Sequence, residues 1–171
     1  MDIRVLDKSS LGDCERIYAD AREFMRECGN GGQWGSAYPP REQIESDIDS
    51  GKLYGIFDGE PLVGVFYFSV ETDPSYAKIY DGEWIDNGEY GVIHRVAVSR
   101  CARGRGVARA CFDYCKGLCA SLRIDTHESN IPMQSALAKA GFTRCGRIML
   151  VRGGERIAYQ WSDEKNKGLS F

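Results

Sequence analysis

The amino-acid sequence predicts an α/β chain, a mixed parallel and antiparallel sheet with helices on both faces. Two apolar arms, Lys52 to Phe57 and Pro61 to Val70, flank an Asp58-Gly59 turn; that is a hairpin pattern, which makes antiparallel neighbours. Apolar residues at helical spacing from Val107 to Cys119 lie between two strand-like runs, and such a crossover leaves the strands on either side parallel. No repeat, linker or composition break divides the 171 residues, so 1–171 read as a single domain able to bury a core without staples.

Each element has its own signal. Asp2 to Leu6 is β-rich and reads as a first strand. Ser10, with Asp13 three residues on, is positioned to cap a helix. Its stripe is Cys14, Ile17, Tyr18, Ala21, Phe24, Met25 and Cys28, and Gly29 is the stop. A loop from Asn30 to Pro40 holds Trp34 and Tyr38 among turn-forming residues. A short helix over Arg41 to Ser50 turns Ile44 and Ile48 inward and stops at Gly51. The second hairpin arm is nearly all apolar, as for a strand covered on both faces. Thr72 to Gly88 is a long polar connection containing Tyr76, Tyr80 and Trp84, of a length that is often functional.

In the next strand, alternation puts Val92, His94, Val96 and Val98 on one face and Ile93, Arg95 and Ala97 on the other. Leu122 to Thr126 is a short strand followed at once by His127. Asn130 caps a helix with Pro132 in its first turn, Met133, Ala136, Leu137 and Ala140 inward, and Gly141 as its stop. Phe142 to Val151 and Arg156 to Trp161 form two last strands around Gly153-Gly154, and a frayed tail is expected from Ser162.

Bulk properties exclude several classes. Net charge is −3 and the isoelectric point about 5.5, which argues against nucleic acid as a partner. The longest apolar run, Leu62 to Phe68, is far short of the roughly 20 residues of a membrane span. The start, MDIRVLDKSS, lacks the features of a signal peptide, so a cytoplasmic location without a membrane partner is expected. The seven cysteines include Cys111, Cys115 and Cys119 on one helix face, but no CxxC or nearby histidine completes a metal site. They read as small core hydrophobes, with no disulfide framework and no metal.

The chemistry concentrates in Arg103-Gly104-Arg105-Gly106-Val107-Ala108, a basic turn between a strand and a helix. No Gly-Lys-Ser/Thr follows, which excludes a P-loop, and Arg109 stands where a dinucleotide fingerprint needs glycine. Amides of such a turn, at a helix N-terminus, bind phosphate, and Arg100, Arg103, Arg105 and Arg109 add positive charge. A plain tight turn with solvated arginines is the competing reading.

The pattern Arg103-x-x-Gly106-x-Ala108, followed by Asn130 to Phe142 with its leading Asn and closing Gly-Phe, resembles the GNAT superfamily of acyl-CoA N-acyltransferases. The resemblance covers nearly the whole chain, with its detail in residues 92–142. It implies the GNAT-like acyl-CoA N-acyltransferase fold and acetyl-CoA as co-substrate. Coenzyme A would be held by Val96, Val98, Arg103, Gly104, Arg105, Gly106, Val107, Ala108 and Asn130. It also implies that the thioester sits between residues 94–98 and 124–127, with a backbone N–H of Val96 or Val98 for the oxyanion. The acceptor is an amine of a small molecule or peptide, attacking directly in a ternary complex, and a homodimer is compatible with the family.

Acetyl transfer needs a base, and the chain's two histidines, His94 and His127, both fall at this inferred cleft. Asp125, two residues before His127, is placed to orient its ring. Both histidines can equally be satisfied structural residues. Many members carry a tyrosine seven residues after the helix-leading Asn, where it protonates the thiolate; here that position is Leu137. Phe24, Trp34 and Tyr38 are the candidate acceptor-binding walls, Phe24 equally a core residue. The missing tyrosine keeps open an alternative, a non-catalytic acyl-CoA-binding sensor or interaction module on the same fold.

Overall fold

A computed structural model describes residues 1–163. The strands are β1 (Asp2–Val5), β2 (Leu53–Phe57), β3 (Leu62–Val70), β4 (Gly91–Val98), β5 (Ser121–Thr126), β6 (Thr143–Met149) and β7 (Glu155–Ser162). The helices are α1 (Leu11–Glu27), α2 (Arg41–Asp49), α3 (Val107–Lys116) and α4 (Ile131–Lys139). The strands are hydrogen-bonded in the order β1-β2-β3-β4-β5-β7-β6, a mixed seven-stranded sheet. The chain falls into two compact units: Met1–Phe68 with His94–Phe112, and Ser69–Ile93 with the described residues from Asp113 on. No helix among the described residues is long and apolar enough to cross a membrane.

In the first unit β2 runs antiparallel to both β1 and β3, with Ile56 opposite Ile3 and Tyr54 opposite Phe66. The helical stripe of α1 closes over this sheet: Cys14, Ile17 and Tyr18 are fully buried in one cluster with Ile44, Ile48, Leu53 and Val65. Side chains of this size contribute about 1.5–3 kcal/mol each on full burial. Gly29, at φ +76, ends α1 as expected. Its start differs from the expectation. Ser10 makes no side-chain cap; Asp7 accepts from the Ser9 amide at 2.9 Å and caps a 3-10 turn, Lys8–Ser10, that feeds α1.

Alternation does not survive in β4. Arg95 adopts φ +52, a left-handed conformation inside a strand. His94 and Arg95 then address the same ring, Tyr67 on β3, at 5.9 and 4.6 Å, which neighbours in a regular strand cannot do. The expected two-face division of residues 92–98 is corrected on that ground.

In the second unit Gly91 and Val92 of β4 pair in parallel with Leu122 and Arg123 of β5. β7 then inserts antiparallel between β5 and β6, so the last two strands form a hairpin whose second arm, not its first, joins β5. Ser162 belongs to β7, and the Asp163 amide donates to Ala120 O at 2.8 Å; the rest of the expected frayed tail lies outside the described residues. The long connection docks on β6 through a bridge between Tyr80 and Arg147. A side chain at Gly146 would meet Tyr80 O at 2.5 Å, so that close approach requires glycine. Tyr76 and Trp84 of the connection are buried, and Trp84 Nε1 donates to Tyr76 O at 3.1 Å. Cys14, Cys111, Cys115 and Cys145 are buried and joined in no disulfide; burial, with Asp13 and Glu15 adding to it, pushes the Cys14 thiol up to about 12.

Candidate active site

The site in the first unit begins where β4 ends. The Ser99 amide donates to Val63 O at 2.8 Å and the Ala102 amide to Ser99 O at 3.0 Å, so the chain leaves β4 in a 3-10 turn, Arg100–Ala102. Gly104 at φ +74 and Gly106 at φ +81 then reverse the backbone, and both are exposed. A β-carbon at either residue would meet no atom within 4 Å, so the left-handed conformation itself is what calls for glycine. α3 starts at Val107, and the amides of its first turn have no intrahelical acceptor. They carry the positive end of the helix dipole, which makes this edge an anion site. Val107 is buried, and Gly64 of β3 makes room for it.

The arginine side chains serve the scaffold. Arg103 Nη2 donates to Asp20 O at 2.7 Å, with its guanidinium 4.2 Å from the Phe24 ring centre. The Arg100 amide donates to Asp20 Oδ2 at 2.9 Å, and its guanidinium pairs with Glu27 at 3.0 Å. Arg105 pairs with Asp58 of the β2–β3 turn. Arg100, Arg103 and Arg105 therefore each have a protein partner beside the turn. Phe24, expected as an acceptor wall, is the surface on which Arg103 rests. An anion at the turn is left to the backbone amides.

Trp34 and Tyr38 do come together. Trp34 meets Tyr18 edge-on at 5.8 Å and Tyr38 at 6.0 Å. Tyr38 Oη accepts from Arg95 Nη1 at 3.2 Å. Arg95 also forks onto Asp47 of α2, Nε to Oδ2 at 2.8 Å and Nη2 to Oδ1 at 3.0 Å, with side-chain exposures of 12% and 4%. Burial lowers the proton affinity of Arg95, but Tyr38 and Asp47 overcome it, and the guanidinium ends above its ordinary value. Burial raises the Asp47 carboxyl, against the opposing pull of Arg95 and Gln43. The Tyr18 hydroxyl is buried beside this group without a hydrogen-bond partner, and burial raises it well above the tyrosine range. Sequence reasoning missed Arg95, Asp47, Tyr18 and Tyr67. Its available signals were a lone arginine in an apolar strand and a lone acid between Ile44 and Ile48 on an inward helix face.

In the second unit Asp125 Oδ2 accepts from the Tyr76 hydroxyl at 2.7 Å. His127 Nδ1 accepts from the Ser129 amide at 3.1 Å, so a neutral His127 carries its proton on Nε2. Tyr76 thus engages one carboxylate oxygen of Asp125, and the Ser129 amide engages one nitrogen of the His127 ring. His127 and Glu128 line a cavity of about 390 Å³ together with Arg144, Arg147, Arg156 and Ile157. Asn130 Oδ1 accepts from the Met133 amide at 3.2 Å and caps α4, as its place before Pro132 predicts.

Residues 14–142 match the model of the acetyltransferase (GNAT) family. The chain belongs to that family. Acetyl-CoA is the co-substrate of GNAT enzymes, the family of this chain. It is 29% identical over 119 residues, 65% of its length, to a streptothricin acetyltransferase of Escherichia coli, and it spans 60% of the length of that relative. A GNAT acetyltransferase of Streptococcus agalactiae is 29% identical, with a TM-score of 0.80 and 94% of each chain covered. An aminoglycoside acetyltransferase in complex with coenzyme A shares the fold at 15% identity, with a TM-score of 0.68, 99% of this chain and 98% of that one covered.

The GNAT motifs fall on defined geometry here. Arg103, Gly106 and Ala108 span the turn into α3, Asn130 caps α4, Gly141 at φ +81 closes it, and Phe142 is buried behind it. Leu137, at the position where GNAT members often carry tyrosine, is fully buried and reaches no solvent.

Proposed function

We propose that this chain transfers an acetyl group from acetyl-CoA to an amine of a small molecule or peptide, by direct attack within a ternary complex. The observation that carries the reading is the Gly104–Gly106 turn into α3, whose arginines are tied to the scaffold and whose amides remain for the pyrophosphate. Acetyl-CoA supplies an activated thioester. The amide of Val96 or Val98 is the donor for its carbonyl oxygen as negative charge develops. The amine nitrogen bonds to the carbonyl carbon, the carbon–sulfur bond breaks, and one proton leaves the nitrogen. His94, on β4 beside Tyr67, is the base we favour. His127 is the other candidate base, its Nδ1 taken by the Ser129 amide and its Nε2 the remaining ring nitrogen. Trp34 and Tyr38 are the acceptor walls, on the loop before α2.

The relative named for streptothricin supports a small amine-bearing acceptor. The test is calorimetric titration with acetyl-CoA, then thiol release across a panel of streptothricin, aminoglycosides, polyamines and peptides. Absence of acetyl-CoA binding would end the reading. Leu137 favours a second one, a non-catalytic acyl-CoA-binding module. That module binds acetyl-CoA, turns over no amine, and is indifferent to His94→Ala.

A further inference from the structure

We infer that Asp47, Arg95 and Tyr38 form a clamp that positions β4 for the transfer, so that order in the acceptor loop and alignment of the thioester-facing backbone are held together. This rests on the proposed acetyl transfer, and Arg95 is a positioning residue. The backbone at Arg95 sits at φ +52, a conformation that persists only where the surroundings over-determine it. The surroundings do so from three directions. Asp47 of α2 takes two parallel hydrogen bonds from the guanidinium, a fork that fixes orientation as well as distance. Tyr38 Oη, at the end of the Asn30–Pro40 loop, takes a third at 3.2 Å. Tyr67 of β3 presents its ring 4.6 Å away.

The next amide along the chain is that of Val96, one of the two proposed above for the thioester oxygen. A rotation at Arg95 swings that amide directly. Arg95 therefore joins the element that sets the acceptor wall to the peptide that sets the oxyanion donor. A purely structural ion pair would need none of the left-handed backbone, and a backbone that merely needed φ +52 would be served better by glycine.

That contrast supplies the experiment. Asp47→Asn, Tyr38→Phe, Arg95→Lys and Arg95→Gly are compared with the unaltered chain by three readouts. These are acetyl-CoA affinity by calorimetry, kcat and KM with an accepted amine, and amide hydrogen exchange in peptides covering residues 30–40 and 93–98. Arg95→Gly permits the conformation while deleting the clamp. The expected result is acetyl-CoA affinity within about twofold and kcat lowered about 10- to 100-fold in Asp47→Asn and Arg95→Gly, the range a displacement near 1 Å costs. Exchange rises in both segments together, Arg95→Lys recovers part of kcat, and Tyr38→Phe loses less than either.

Faster exchange with unchanged kcat overturns the clamp, as does an Arg95→Gly variant as active as the unaltered chain. If the unaltered chain turns over no amine, the proposed reaction fails. The exchange readout still decides the clamp, because unchanged exchange at 93–98 in both Asp47→Asn and Arg95→Gly refutes it.

Discussion

Gly64→Ala should weaken acetyl-CoA binding from β3. Gly64, the third residue of β3, packs against Val107 at the end of the phosphate turn. A β-carbon added there would sit 2.6 Å from Val107 Cγ1, well inside the 3.4 Å at which ordinary contact begins. It cannot slide sideways, because Ala97 O and Ile56 Cδ1 are each 3.3 Å away. Val107 must retreat by most of 1 Å, and Val107 is the first residue of α3, directly after Gly106. Overpacking of this kind costs about 1–3 kcal/mol of stability, and each kcal/mol lowers Tm by about 2–4 °C at this chain length. The amides of the turn move with the helix start, and a tenfold loss of coenzyme A affinity corresponds to about 1.4 kcal/mol. Calorimetric titration with coenzyme A and a thermal melt measure the two effects on one sample. Gly64→Ala combined with Val107→Ala vacates the contested space, and the pair should recover affinity beyond the sum of the single changes. Lower Tm with unchanged affinity would show that Val107 does not set the turn, and the reasoning would fail.

Gly106→Ala meets no neighbouring atom, so it should fold, cost about 1–2 kcal/mol through the left-handed backbone alone, and raise the acetyl-CoA dissociation constant in titration. Asn130→Ala loses the cap of α4 and about 1 kcal/mol in denaturant unfolding while coenzyme A affinity stays within twofold; a larger loss of affinity would place Asn130 in the cofactor site. Tyr18 and Tyr76 are held above the ordinary tyrosine value of 10.0, first by burial, so the folded chain keeps protons that the unfolded chain releases. Their contribution to stability is full below pH about 10 and falls as pH rises beyond it, by about 1.4 kcal/mol per pH unit for each. Tyr18→Phe deletes a hydroxyl that bonds nothing, so it should leave neutral-pH stability intact and make the alkaline fall shallower. An unchanged alkaline slope would refute the assignment.

The strand, turn and helix at residues 91–116 were legible because their signals are local, and the proposed donor site rests on them. Two glycines in a basic turn, an apolar run before them and a helical stripe after them specify a phosphate-binding edge with no long-range contact. The helix capped by Asn130 was legible for the same reason: cap, proline and terminal glycine all lie within one twelve-residue stretch, 130–141. Local reading failed at Ser10, where a nearby Asp7 reached the backbone first, and it gave no sign of the Tyr76 partner of Asp125, 49 residues away in sequence. A two-residue spacing between Asp125 and His127 says that both lie on one strand face only while the strand continues, and β5 ends at Thr126.

The clamp was hidden by the rule that exposes most strands. Period-two reading treats an arginine in an apolar run as the residue that faces out, and Arg95 breaks the period by its own backbone. Its partners come from positions 38, 47 and 67, which nothing local connects. What the sequence did contain was two charges in improbable places, Asp47 on the buried side of α2 and Arg95 in β4. Each is costly to bury alone, so each implies the other: a buried charge requires a partner, and the opposite charge nearest to hand in the apolar pattern is the first place to seek it. Pairing such misfits before assigning strand faces would have found the Asp47–Arg95 fork, and with it the interruption in β4. Tyr38, the proposed acceptor wall, then follows as a further partner of the same guanidinium.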